Sequence, residues 1–186
     1  MQLRNTAHRY GAVAQALHWV IVVGFVAQFA LAWYMEELPN TPFKIELYNL
    51  HKSIGVTILV LAVLRLGWRL ANPVPGMPAG LPRWEHWAAH ASHAGLYAVI
   101  FAQPITGLVF SLYSSFPSLI WGWRLPDPGT SKTIEDTFAA AHFYVSWLIL
   151  ALVALHVLAA LRHHLVLGND VLRRMLPGAP LRGDRP

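Results

Sequence analysis

The sequence predicts an all-α integral membrane protein, a four-transmembrane-helix up-down bundle with both termini cytoplasmic. Three observations carry this. Of 186 residues, 55% are apolar and only 12% are charged, about half the charged share of a soluble domain. Four apolar stretches, at about 12–34, 48–70, 89–113 and 139–166, each reach the roughly twenty residues that a helix needs to cross hydrocarbon. The basic residues also divide unevenly between the two sides. Arg4, Arg9, Arg65, Arg69, Arg83, Arg162, Arg173, Arg174, Arg182 and Arg185 fall on the side of the termini, against Lys44, Lys52, Arg124 and Lys132 on the other. Such an excess marks the cytoplasmic face. The net charge of +5 is therefore a topology signal, and no nucleic-acid partner is expected.

The elements follow in order as one transmembrane domain spanning 1–186. In helix one, Ala30-Leu31-Ala32 imitates a signal-peptidase site. The run is longer than a signal-peptide core and carries His18 and Gln28, so it is read as a retained span. Glu36 to Leu47 is a polar outside connection, and helix two opens at Leu50-His51-Lys52 and closes with Arg65 and Arg69. Four prolines and two glycines between Asn72 and Pro82 preclude a regular helix. Residues 83–89 are read as interfacial, with Trp84 and Trp87 at headgroup depth. Helix three contains Pro104, tolerable in a membrane bundle but expected to kink it. The loop from about Ser114 to Asp136 holds Trp121 and Trp123 and is expected to pack over the bundle mouth. After helix four, Asn169 or Asp170 is expected to cap a short interfacial helix ending before Pro177, and 177–186 to form a disordered tail.

The chain has no cysteine. This excludes covalent haem attachment, iron–sulfur clusters and disulfides. It has histidines instead, and their positions are informative. His142 and His156 are fourteen residues apart on helix four, almost four turns, so both imidazoles share one face roughly 21 Å apart. Ionisable side chains in hydrocarbon are expensive and read first as functional. Neutral imidazole is a common metal and haem-iron ligand. Topology then sets each depth. His18 and His156 fall roughly 6–8 Å to the cytoplasmic side of the midplane, and His51 and His142 roughly 12–15 Å to the outside. The depths match in two pairs, which suggests two haems stacked across the membrane. His93 lies near the inner level and competes for it, so spacing alone leaves His93, His18 and His156 open as inner ligands.

Room between helices calls for small residues near the ligands. Gly55, Ser146 and Ala160 each follow a histidine by four, whereas His18 is followed by Val22. Haem carboxylates need cations; Arg65 and Arg69 are candidates on the inner side and Lys52 on the outer. His163, His164 and Arg162, at the inner end of helix four, are positioned to hold a quinone head or relay protons.

These residues resemble the bacterial cytochrome b561 family of four-helix, di-haem membrane cytochromes. The likeness runs through Leu17-His18-Trp19, Leu50-His51-Lys52-Ser53-Ile54-Gly55, Val63-Leu64-Arg65-Leu66 and His93-Ala94-Gly95-Leu96-Tyr97. It continues with Pro104-Ile105-Thr106-Gly107-Leu108, Leu155-His156, Arg162-His163-His164 and Leu172-Arg173-Arg174-Met175-Leu176-Pro177. The resemblance implies a multi-pass protein of the bacterial inner membrane with two non-covalent haem b groups, each held by two histidines. By it His18 and His156 match the inner ligands and His51 and His142 the outer ones, and His93 is not a ligand. It also implies electron transfer to ubiquinone or another quinone from an outside donor, either a small molecule such as superoxide or a redox protein. Superoxide meets an outer surface whose charges sum to about −2, which does not favour an anion. Two alternatives share these histidines: a haem-bearing anchor subunit for a separate dehydrogenase or hydrogenase, and a histidine-based metal transporter.

Overall fold

The computed structural model describes residues 2–78 and 80–182. Its elements are α1 (Ala12–Glu36), α2 (Pro42–Ala71), α3 (Arg83–Leu112), the two-stranded hairpin β1 (Leu119–Ile120) and β2 (Trp123–Arg124), and α4 (Lys132–Leu165). All four helices are long and apolar enough to cross a membrane. Their exposed surfaces are apolar, with Val23, Val26, Val60, Val63, Leu148 and Leu158 facing outward, as expected where the surrounding solvent is lipid. The chain is an all-α membrane bundle.

Three helices start earlier than the apolar runs indicated. α2 begins at Pro42, with the Thr41 hydroxyl accepting from the Lys44 N–H at 3.4 Å. α4 begins at Lys132, whose ammonium meets Asp136 at 2.6 Å one turn on. Hydropathy registers only the part of a helix at hydrocarbon depth, whereas caps and i,i+4 pairs extend it into water. Residues 83–89, read as interfacial and preceding the apolar run, form the first turns of α3. α3 also runs unbroken through Pro104.

The helices pack in chain order, α1 on α2, α2 on α3, and α3 on α4. Gly24 permits the first contact, since a Cβ there would lie 3.1 Å from the Ile58 side chain. Among the described residues, no Cα of α4 comes within 8 Å of one in α1 or α2. α4 is attached to the bundle through α3.

The expected short helix after α4 is instead a series of turns over 171–175. Local bonds such as Arg174 N–H to the Asp170 carbonyl at 2.9 Å shape these turns, and sequence-distant bonds anchor them. Trp19 Nε1 donates to the Met175 carbonyl at 2.9 Å, Gln15 to that of Arg174 at 3.1 Å, and Arg9 to that of Leu176 at 3.2 Å. Of the expected tail, 177–182 folds back: the Arg182 N–H meets the Asp170 carboxylate at 3.0 Å, and Arg173 reaches the Pro180 carbonyl at 3.2 Å. The remainder, 183–186, lies outside the described residues. The α2–α3 linker joins the same layer. Buried Asn5 accepts from the Gly11 N–H at 2.9 Å and donates to the Pro73 carbonyl at 3.0 Å.

Asn5→Ala leaves the buried Gly11 N–H unpaired and removes the donor from the Pro73 carbonyl. It should lower stability by about 1–3 kcal/mol, measured by thermal unfolding of the reconstituted protein followed by circular dichroism.

Candidate functional site

The gap between α4 and its two non-neighbours is bridged by imidazoles. At one level His51 of α2 faces His142 of α4, with ring centroids 6.4 Å apart and planes at 75°. At the other, His18 of α1 faces His156 of α4, also at 6.4 Å and at 70°. Two imidazoles that share one metal through bonds of about 2 Å each have centroids roughly 6 Å apart. Both pairs have that separation.

The His51–His142 level is built by polar residues set into apolar helices. The Gln103 carbonyl of α3 lies 2.9 Å from His142 Nδ1. A carbonyl oxygen only accepts, so Nδ1 carries the proton and the lone pair is on Nε2. That is the arrangement a metal-binding imidazole needs, since its second nitrogen is fixed by a backbone acceptor. Gln103 Nε2 approaches this Nε2 at 3.1 Å, and Thr106 Oγ1 lies 3.3 Å from Nδ1. Gly107 makes space: a Cβ there would lie 2.8 Å from His142 Cε1. Across the gap, Gln28 of α1 donates to the His51 carbonyl at 2.9 Å, and a Cβ on Gly55 would sit 3.2 Å from that amide. Gly55 therefore makes room for Gln28. Ser146, predicted to make room at this level, turns its hydroxyl to the Phe143 carbonyl of its own helix at 2.7 Å.

At the His18–His156 level a third imidazole is present. His93 of α3 lies 5.7 Å from His156 between centroids, closer than His18. Geometry therefore keeps the ambiguity that spacing raised. Trp19 stands edge-on to His18 at 5.2 Å while bonding Met175, so the C-terminal segment is linked to this level. Toward the termini, Arg65, Arg69, Tyr10 and Tyr97 line one small pocket. Arg65 donates to the Ala14 carbonyl at 3.2 Å, and the Arg69 guanidinium lies 5.8 Å from the Tyr97 ring centre. On the opposite side Lys52 reaches the Pro117 carbonyl, at 3.4 Å. Ala160 lies one turn beyond His156 and is partly buried.

The residues at the inner end of α4 have a partner the sequence did not reveal. Glu85, buried in the first turn of α3, receives Arg162 Nη1 at 3.1 Å and faces His163 Nε2 at 3.6 Å. Asn169 Nδ2 sits 2.8 Å from His163 Nδ1, leaving Nε2 to carry the proton toward the carboxylate. His164 is separate, with its carbonyl 3.4 Å from Arg182 Nη2. The signal available for Glu85 was an acid next to the membrane among tryptophans. For Gln28 and Gln103 it was an amide inside an apolar run.

Comparison with known proteins decides what kind of site this is. The sequence profile of the prokaryotic cytochrome b561 family matches residues 9–178. The chain belongs to that family. Cytochrome b561 homolog 2 of Escherichia coli K12 is 33% identical over 182 residues, covering 95% of each chain. The probable superoxide oxidase CybB of Yersinia pestis is 27% identical, covering 91% of this chain and 96% of its own. Cytochrome b561 homolog 1 of E. coli K12 is 23% identical, covering 91% and 98%. This prokaryotic cytochrome b561 is thus a bacterial multi-pass, b-type cytochrome of electron transfer.

Gly107→Ala should displace His142, an overpacking cost of about 1–3 kcal/mol, and lower the haem bound per chain. Gly67→Ala, whose Cβ meets nothing within 4 Å, should leave it unchanged; pyridine haemochrome spectra count both.

Proposed function

We propose that this cytochrome holds two non-covalent haem b groups, one between His51 and His142 and one between His18 and His156. In this reading it passes electrons between them to ubiquinone or another quinone. The observation that carries the reading is the gap along α4, spanned at two levels by imidazole pairs 6.4 Å apart. Transition metals held only by protein side chains take three or four ligands. Among the described residues no such group of His, Asp or Glu occurs, so the pairs suit haem iron better than metal transit. His93 packs beside His156 without binding iron, as the family resemblance implies.

Bound at these levels, haem b supplies a reversible one-electron couple. The chain supplies the rest. The Gln103 carbonyl fixes the His142 tautomer and the Gln103 amide yields Nε2. Arg65 and Arg69 neutralise haem carboxylates on the side of the termini, and Lys52 does so on the far side. The arginine excess supports a reading with the termini in the cytoplasm, and the helical bundle one with the protein in the bacterial inner membrane. Electrons then enter from the far side, from a small one-electron reductant or a redox protein. Superoxide, named for the Y. pestis relative, is one such reductant. At the cytoplasmic end, quinone reduction consumes protons. Arg162, His163 and His164 are the groups assigned to the quinone head or to proton delivery, with Glu85 orienting the first two.

The reduced-minus-oxidised spectrum with haem quantified per chain tests this first. About two low-spin b haems are expected in the unsubstituted protein, about one in His142→Ala, and two in His93→Ala. A preparation that stays colourless after haem is supplied overturns the reading. Loss of haem in His93→Ala with none in His18→Ala reassigns the inner ligand. A separate expectation concerns proton delivery: His163→Ala with His164→Ala should shift the pH profile of quinone reduction with haem content unchanged. An unaltered profile removes both residues from that role.

A further inference from the structure

The hairpin β1–β2 does not close over the end of the bundle; it runs down the side of α2. Ser118 is tied to Ser111 at the far end of α3 by a 2.6 Å hydroxyl contact. From there the chain descends, and the Trp121 N–H donates to Ser53 Oγ at 2.8 Å while its indole N–H donates to Thr57 Oγ1 at 3.0 Å. Ser53 and Thr57 lie roughly 120–160° round the helix from His51. The hairpin therefore covers the side of α2 that faces away from the histidines. The turn is a two-residue one with both central residues left-handed, Trp121 at φ 49° and Gly122 at φ 83°. Trp121 is the one non-glycine with positive φ among the described residues, a conformation that bulky side chains avoid. Two hydrogen bonds to α2 hold it there.

Depth indicates what the tip meets. Lys52 is the last charged residue before the uncharged run 53–64, and Thr57 lies five residues, roughly 7–8 Å, beyond it. Yet Trp121 is 60% exposed and Trp123 80%. The same level on α4, set by the His51–His142 contact, carries Tyr144 and Trp147, also exposed at 70% and 57%. Tryptophan with its N–H satisfied and its ring uncovered is the side chain of the membrane interface.

We propose that Trp121-Gly122-Trp123 is inserted into the bilayer leaflet away from the termini. There Trp121 and Trp123 join Tyr144 and Trp147 in one aromatic belt, and acyl chains and glycerol groups cover the exposed rings. The hairpin is an interfacial wedge and not a lid. Its hydrogen bonds to Ser53 and Thr57 satisfy both N–H groups of Trp121, which lipid could not.

The cysteine-free chain allows a direct test in the haem-loaded full-length protein reconstituted in phosphatidylcholine liposomes. A nitroxide is attached singly at Trp123→Cys, at Val60→Cys on the apolar side of α2, or at Pro128→Cys in the loop. Its relaxation by oxygen and by a water-soluble nickel chelate is then compared. The oxygen-to-nickel ratio at 123 should fall within about twofold of that at 60 and several-fold above that at 128. A ratio equal to that at 128 overturns the proposal. So does low accessibility to both reagents, which would place another protein chain on this face. The unsubstituted protein provides a second measurement. A bilayer-partitioned aryl diazirine should label 119–124 and leave 126–131 unlabelled; equal labelling of the two, or none in 119–124, overturns insertion.

Discussion

Everything in this molecule depends on how α4 is held. It packs on α3, and it stands more than 8 Å, Cα to Cα, from α1 and α2 at every described residue. In hydrocarbon a polar group has no water to turn to, and His142 meets this demand on α3, at Gln103 and Thr106. Across the gap the α4 imidazoles face other imidazoles, at two levels on one helical face. The close α3–α4 approach that permits this depends on small side chains. Gly107 lets His142 lie against α3, where a Cβ would come within 2.8 Å of the ring. The site is therefore a consequence of unequal packing, tight on one side of α4 and open on the other.

The end of the bundle at the termini is closed by a different device. The N-terminal segment, the α2–α3 linker and the C-terminal turns interlock through backbone carbonyls taken by Asn5, Arg9, Gln15 and Trp19, and Arg174 reaches the Gly76 carbonyl across the same layer. None of these segments is a stable helix or strand alone, and each supplies acceptors that the others lack. Trp19 links this layer to the His18 level, and Glu85 joins α3 to the end of α4. The opposite end has no comparable layer; there the hairpin leans along α2.

Much of the fold was legible because a membrane imposes simple rules. Span length, apolar composition and the arginine bias need no knowledge of contacts, and helical rise converts position into depth. The two histidine pairs were reached in that way, as depths that matched. Helix starts were less legible, because Thr41, Pro42 and Lys132 act through capping and local charge pairs outside the apolar run. The short helix expected after α4 failed for a related reason. Asn169 does act as a cap, its side-chain oxygen accepting from the Val171 N–H at 3.3 Å, but the backbone that follows is drawn to α1 and forms turns.

The sequence by itself determined the four spans, the excess of arginine on one side and the residue types able to hold iron without cysteine. It placed His18 level with His156 and His51 level with His142, since depth along a helix is a one-dimensional quantity. Only the tertiary structure decided which groups face each other across the bundle. It brought Gln103 to His142 and Glu85 to Arg162 and His163, and it carried Trp121 down to Thr57. It also left His93 closer to His156 than His18 is. These contacts depend on the rotation of each helix about its axis and on the separation between axes. Both are set by the summed packing of residues distant in sequence, which no local pattern records.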